Sequence, residues 1–221
     1  MIATRLLQDA PGALAVIDGA LSLTRADLAA RALSLASWLR SRHSVREGAI
    51  LAAALPNFWP YPVCFLAANA LGAPLLAVNP QWRRSETAWL AQKLGIHSAF
   101  VTPQTAPAWE GLLPAGQVLD VESAAFAEAL RQPPLPDPPP PDPALTALLL
   151  TTSGSTGRPK IVPRSNANLL AGAQAVGETT GARPGRRHVR WCAPPRRPAV
   201  RCRSDSFLLY SKLHLFLISF T

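Results

Sequence analysis

"ALTALLLTTSGSTGRPKIVPRSNANL" occupies residues 144–169. It opens with an apolar run, 144–150, that reads as a buried strand. The next seven residues, 151–157, are all Thr, Ser or Gly, and Arg158, Pro159 and Lys160 follow. Ser165 then stands where a helix cap would, ahead of an apolar face of Leu169, Ala173 and Val176. The expected layout is strand, small polar loop, helix. In a parallel sheet, ligands sit at the carboxyl ends of such strands.

The composition of the loop is chemically specific. Small residues let backbone come close to a ligand, and Gly154 and Gly157 adopt positive φ at little cost. Successive N–H groups then converge on an anion. The hydroxyls of Thr152, Ser153, Ser155 and Thr156 add donors, and Lys160 adds a compact positive charge. These features suit a polyphosphate. The loop is not a Walker A motif, which needs Gly before the Lys and Ser or Thr after it; Pro159 and Ile161 stand there. A flexible Ser/Gly linker has no reason to follow a buried strand or to end in Pro-Lys and a helix cap.

Upstream, apolar runs and helical periods alternate. Thr24 and Asp27 resemble a capping box for a helix over 24–41, with Leu28, Ala32, Leu35 and Leu39 on one face. Strands are predicted at 49–55, where the alanines leave helix as the alternative, and at 74–78, 98–102 and 117–121. Helices are predicted at 63–71, from Ser85 as cap to Leu94, and at 123–130. This alternation predicts an α/β fold of three layers around a mainly parallel sheet. Eight of the eleven residues from Pro133 to Pro143 are proline. That segment reads as an exposed polyproline II connector, with capture by an SH3-like domain as its functional alternative. The expected organisation is an N-terminal βα subdomain (1–131), a Pro-rich connector (132–143), a strand–loop–helix unit (144–181) and a basic irregular tail (182–221).

The 221 residues carry a formal net charge of +9, but residues 182–221 hold nine Lys/Arg against one acid, Asp205. The rest is nearly neutral, so no nucleic-acid partner is expected. Cys64, Cys192 and Cys202 have no metal-ligand spacing and make an odd count, which argues for a reducing, cytoplasmic setting. No signal peptide or confident membrane span is read: the most apolar tail segment, 207–220, is short and carries Lys212 and His214.

The stretch 152–169 resembles the phosphate-loop signature of the adenylate-forming superfamily, which includes acyl-CoA synthetases, aryl-acid and amino-acid adenylating enzymes and luciferases. The match falls on Thr152, Ser153, Gly154, Ser155, Thr156, Gly157, Pro159, Lys160, Val162 and Asn168. Ile161 replaces a usual Gly, Ser165-Asn166 replace Thr-His, and Pro163-Arg164 are similar to the aryl-acid branch. The likeness extends over roughly residues 10–185. It implies that ATP activates a carboxylic acid as an acyl-adenylate, with Mg²⁺, and that CoA or a carrier-protein thiol then takes the acyl group. It also implies a Glu for Mg²⁺, an Asp for the ribose and a Lys on a mobile C-terminal domain; none is identifiable in these 221 residues.

The resemblance stops near Gly185. The sequence beyond reads as out-of-frame translation: the codons for Trp191 to Pro195, shifted one base downstream, permit a family-like Gly-Ala-Pro-Leu-His. The expectation is an N-terminal fragment of an ATP-dependent ligase, inactive alone. The alternative is a stand-alone nucleotide-binding or protein-interaction module.

Overall fold

The computed structural model describes residues 11–138, 142–152 and 159–180. The chain enters through a hairpin of β1 (Leu14–Asp18) and β2 (Leu21–Thr24). Its turn needs positive φ directly after Asp18, which Gly19 supplies at 58°. The Asp18 carboxylate accepts the Trp59 N–H at 2.9 Å and ties the hairpin to the main body. No strand was expected here, although the alternation around Asp18-Gly19 is a hairpin signal.

Thr24 caps α1 (Arg25–Arg42) through the predicted capping box. The Asp27 carboxylate accepts both the N–H and the hydroxyl of Thr24, which holds its pKa below the ordinary carboxylate value. Leu28, Ala32, Leu35 and Leu39 are all fully buried, as their spacing predicts.

Strands and helices then alternate: β3 (Leu51–Ala53), α2 (Pro60–Ala70), β4 (Leu75–Ala77), α3 (Arg84–Leu94), β5 (Ser98–Val101), β6 (Val118–Asp120) and α4 (Ala124–Ala129). β7 (Thr146–Thr152), β8 (Lys160–Ser165) and α5 (Asn166–Thr180) follow the Pro-rich segment. The sheet order is β6-β5-β3-β4-β7-β8, parallel from β6 to β7 and antiparallel only at β8. Side chains alternate across it. Leu51, Ala53, Leu75, Ala77, Phe100, Leu148 and Leu150 face a core shared with α1, α2, α4 and α5. Ala52, Leu76, Ala99, Val101 and Leu149 face a second core with Leu90 of α3 and Trp109. This is the expected three-layer, mainly parallel arrangement. The two-residue period explains why apolar runs such as Leu148-Leu149-Leu150 are strands buried on both faces.

Two local expectations are corrected. Ser85 does not cap α3. The cap position is taken two residues earlier by Arg83, whose N–H donates to the Glu86 carboxylate at 3.0 Å; the Ser85 hydroxyl donates to the same carboxylate at 2.9 Å. Nor is the Pro-rich segment wholly exposed. Its described part forms no helix or strand, but Leu135 is 3% exposed and its N–H donates to Leu33 O at 3.0 Å. The one leucine among the prolines anchors the segment on α1, because burying it removes apolar surface from water. Residues 139–141 lie outside the described residues, as do 181–221, where the irregular tail was expected. Among the described residues no helix is long and apolar enough to cross a membrane.

Candidate phosphate-binding site

The loop singled out in the sequence leaves the carboxyl end of β7 and returns as β8. Thr152 and Lys160 face each other as a cross-strand pair, so both ends of the loop are held together. Ser153, Gly154, Ser155, Thr156 and Gly157 lie outside the described residues. The backbone of Thr152 and the whole of Lys160 are described, and Lys160 is exposed at the mouth of the loop. β7 lies directly beside β4, one of the two central strands of the sheet, and the loop stands at the carboxyl end of the parallel strands. Thr151, just beneath, is 5% exposed and its hydroxyl lies 3.5 Å from Ala77 O on β4.

The expected passage from loop straight to helix is corrected: β8 intervenes. Ile161 packs against the α3-side core and Val162 against the other, the alternation of a strand. Pro163 conceals this in the sequence, but a proline is tolerated on an edge strand, and β8 is the edge among the described residues. Ser165 caps α5 as predicted. Its hydroxyl accepts the Asn168 N–H and its own N–H donates to the Asn168 side chain, both at 3.2 Å. Leu169 and Ala173 are buried; the Val176 side chain lies outside the described residues.

The extra strand has an electrostatic consequence. β8 runs antiparallel to β7, so the N-terminus of α5 sits beside Thr146 at the far end of the hairpin. Five residue steps of about 3.4 Å place it roughly 17 Å from Lys160. The helix dipole falls off within a turn and cannot serve a ligand at the loop. An anion at the loop would have to be held without the helix dipole.

A second concave region escaped the sequence reading because its residues come from separate segments. Arg31, Phe58, Trp59, Phe126, Leu130 and Arg131 line a cleft of about 520 Å³. The Arg31 guanidinium lies 5.2 Å from the Trp59 ring centre, and Arg131 pairs with Glu128 at 3.3 Å. Cys64 is buried and unbridged, and burial pushes its thiol pKa well up, so it is no nucleophile.

The family model described as "AMP-binding enzyme" matches residues 4–197. The chain is 29% identical over 185 residues to the medium-chain fatty-acid–CoA ligase of Escherichia coli (strain K12), covering 75% of this chain and 32% of that protein. It is 33% identical over 160 residues to a feruloyl-CoA synthase of an Amycolatopsis species, covering 72% and 31%. It thus spans about a third of the length of these relatives. Among solved structures, the o-succinylbenzoate CoA synthetase of Bacillus subtilis, in complex with its acyl-adenylate intermediate, superposes with a TM-score of 0.69 at 23% identity. That match covers 82% of this chain and 46% of the other, and at this identity it carries the fold.

Proposed function

We propose, from the premise that this chain belongs to the AMP-binding enzyme family, that it supplies the polyphosphate-binding part of a carboxylate-adenylating ligase. In that reaction a carboxylate oxygen bonds to the α-phosphorus of ATP and the bond to the β-phosphate bridging oxygen breaks, releasing pyrophosphate. The thiol of CoA, or of a carrier protein's pantetheine arm, then takes the acyl group from AMP. Thr152, Ser153, Gly154, Ser155, Thr156, Gly157 and Lys160 hold the β- and γ-phosphates and stabilise the charge that builds on the leaving group. The observation that carries this reading is the Thr152–Lys160 pair, which closes a loop of small residues at the carboxyl end of β7 with a lysine at its mouth. A cytoplasmic setting fits the use of ATP and CoA.

Mg²⁺ is assigned to no residue. Among the described residues, no three His, Cys, Asp or Glu side chains come together to hold a metal.

These 221 residues alone bind ATP weakly. Three to five charge-assisted hydrogen bonds at roughly 1.5–3 kcal/mol each contribute about 5–15 kcal/mol. Association costs roughly 4–15 kcal/mol, so the balance is small. Calorimetry of the chain with ATP is expected to give a dissociation constant in the millimolar range that weakens with added salt, since an exposed Lys–phosphate pair is screened. Carboxylate-dependent ATP–pyrophosphate exchange should stay at background. Micromolar affinity insensitive to salt would contradict the reading.

A further inference from the structure

We propose that Asn166 is a positioning residue, which fixes the strand register that sets Lys160 opposite Thr152. The inference rests on the phosphate reading of the loop, because the place of Lys160 matters to function only if it meets a ligand.

β7 and β8 do not pair in a single register. From Leu148 to Thr152 the partners run from Arg164 to Lys160, but at the base Thr146 faces Ser165. The shift falls between Thr146 and Leu148 and leaves Ala147 as the extra residue, a β-bulge. Two registers offset by one residue therefore meet in one hairpin. If the base register continued upward, Lys160 would face Thr151 instead of Thr152. A one-residue slip turns every side chain of a strand to the opposite face of its neighbour. Ile161 would leave the α3-side core, Val162 would leave the other, and Lys160 would leave its place at the mouth of the loop.

Asn166, immediately after the base pair, holds the bulge. Its backbone N–H donates to Leu145 O at 3.0 Å. Its side-chain Nδ2 donates to Asp142 O at 2.9 Å, and its Oδ1 accepts from Asn69 Nδ2 at 2.8 Å. The base of the hairpin is thereby tied to the chain entering β7 and to α2. Asn166 is 6% exposed and Asn69 is 5% exposed. In that environment a lost partner leaves a polar group without water to replace it. A donor and an acceptor are needed on one short side chain, and aspartate, alanine and leucine lack that combination. Asn69 depends on the contact in turn, because its own Oδ1 has no hydrogen-bond partner.

The test uses the 221-residue chain with Asn166→Ala and Asn166→Asp, beside Lys160→Ala. Cross-strand Hα and amide NOEs report the register, amide shifts on titration with ATP report affinity, and melting reports stability. Both Asn166 variants are expected to lose the NOEs that place Leu149 opposite Pro163. Their ATP affinity should fall about tenfold or more at a temperature where they remain folded. A residue of structural value only would lower the melting temperature while register and affinity stayed as in the parent, and that result overturns the proposal. Should both variants fail to fold, Asn69→Leu, which removes one side-chain bond and leaves the other, is read in the same way. If the parent itself fails to bind ATP, the phosphate reading falls, while the NOE register still decides what Asn166 does.

Discussion

Replacing Phe100 with alanine is expected to destabilise the chain by about 3–5 kcal/mol, the usual cost of deleting a buried aromatic ring. Phe100 is fully buried on β5, a strand flanked on both sides, and it faces the core shared with α1, α2 and α4. A domain of this size has only about 5–15 kcal/mol of stability, so the loss should move the urea midpoint far toward zero. Trp109→Phe provides the contrast. Trp109 is also fully buried, but its indole N–H has no hydrogen-bond partner. An unpaired buried donor costs about 1–3 kcal/mol, and removing it offsets part of the lost packing. Phe100→Ala should therefore be the more damaging of the two in urea denaturation. A Phe100→Ala variant with the parent's midpoint would mean that the two-sided core is wrongly placed.

Replacing Lys160 with alanine is expected to weaken ATP binding by about 10- to 100-fold, the loss of one charge-assisted hydrogen bond of roughly 1.5–3 kcal/mol. Stability should move by less than about 0.5 kcal/mol, because the side chain is exposed and packs against no core. Lys160→Arg keeps the charge and should retain more affinity than alanine, although the planar guanidinium does not reproduce a compact ammonium. Titration of the three proteins at low salt checks the order. Equal affinity for parent and Lys160→Ala would remove the lysine from the site.

What the sequence made legible follows its strongest local signals. The capping box at Thr24 and Asp27, the leucine face of α1 and the stop of α3 at Gly95 (φ 58°) are set by neighbouring residues. Strands β3 to β7 were legible as short apolar runs, with turn residues such as Pro56-Asn57 after β3 and Asn79-Pro80 after β4. Signals that are weak locally were lost. β8 carries a proline and only two apolar residues, Ile161 and Val162, and it becomes a strand because β7 offers an edge. Leu135 is buried by a long-range contact with α1 that no local pattern announces. The pairing of Asn69 with Asn166 joins residues 97 apart, and neither asparagine stands out alone. The loop's residue types were legible, since close backbone approach demands glycine and small hydroxyl side chains. Its setting was not, because the helix that follows lies at the other end of the hairpin.

The claim that residues 152–160 receive the phosphates of ATP is tested most directly by mapping amide shifts along the whole chain during an ATP titration. The largest shifts are expected on Thr151, Thr152, Lys160, Ile161 and the residues between Thr152 and Lys160, and inorganic triphosphate should reproduce them. Shifts concentrated on Arg31, Trp59 and Leu130 around the separate cleft, with the loop unmoved, would contradict it.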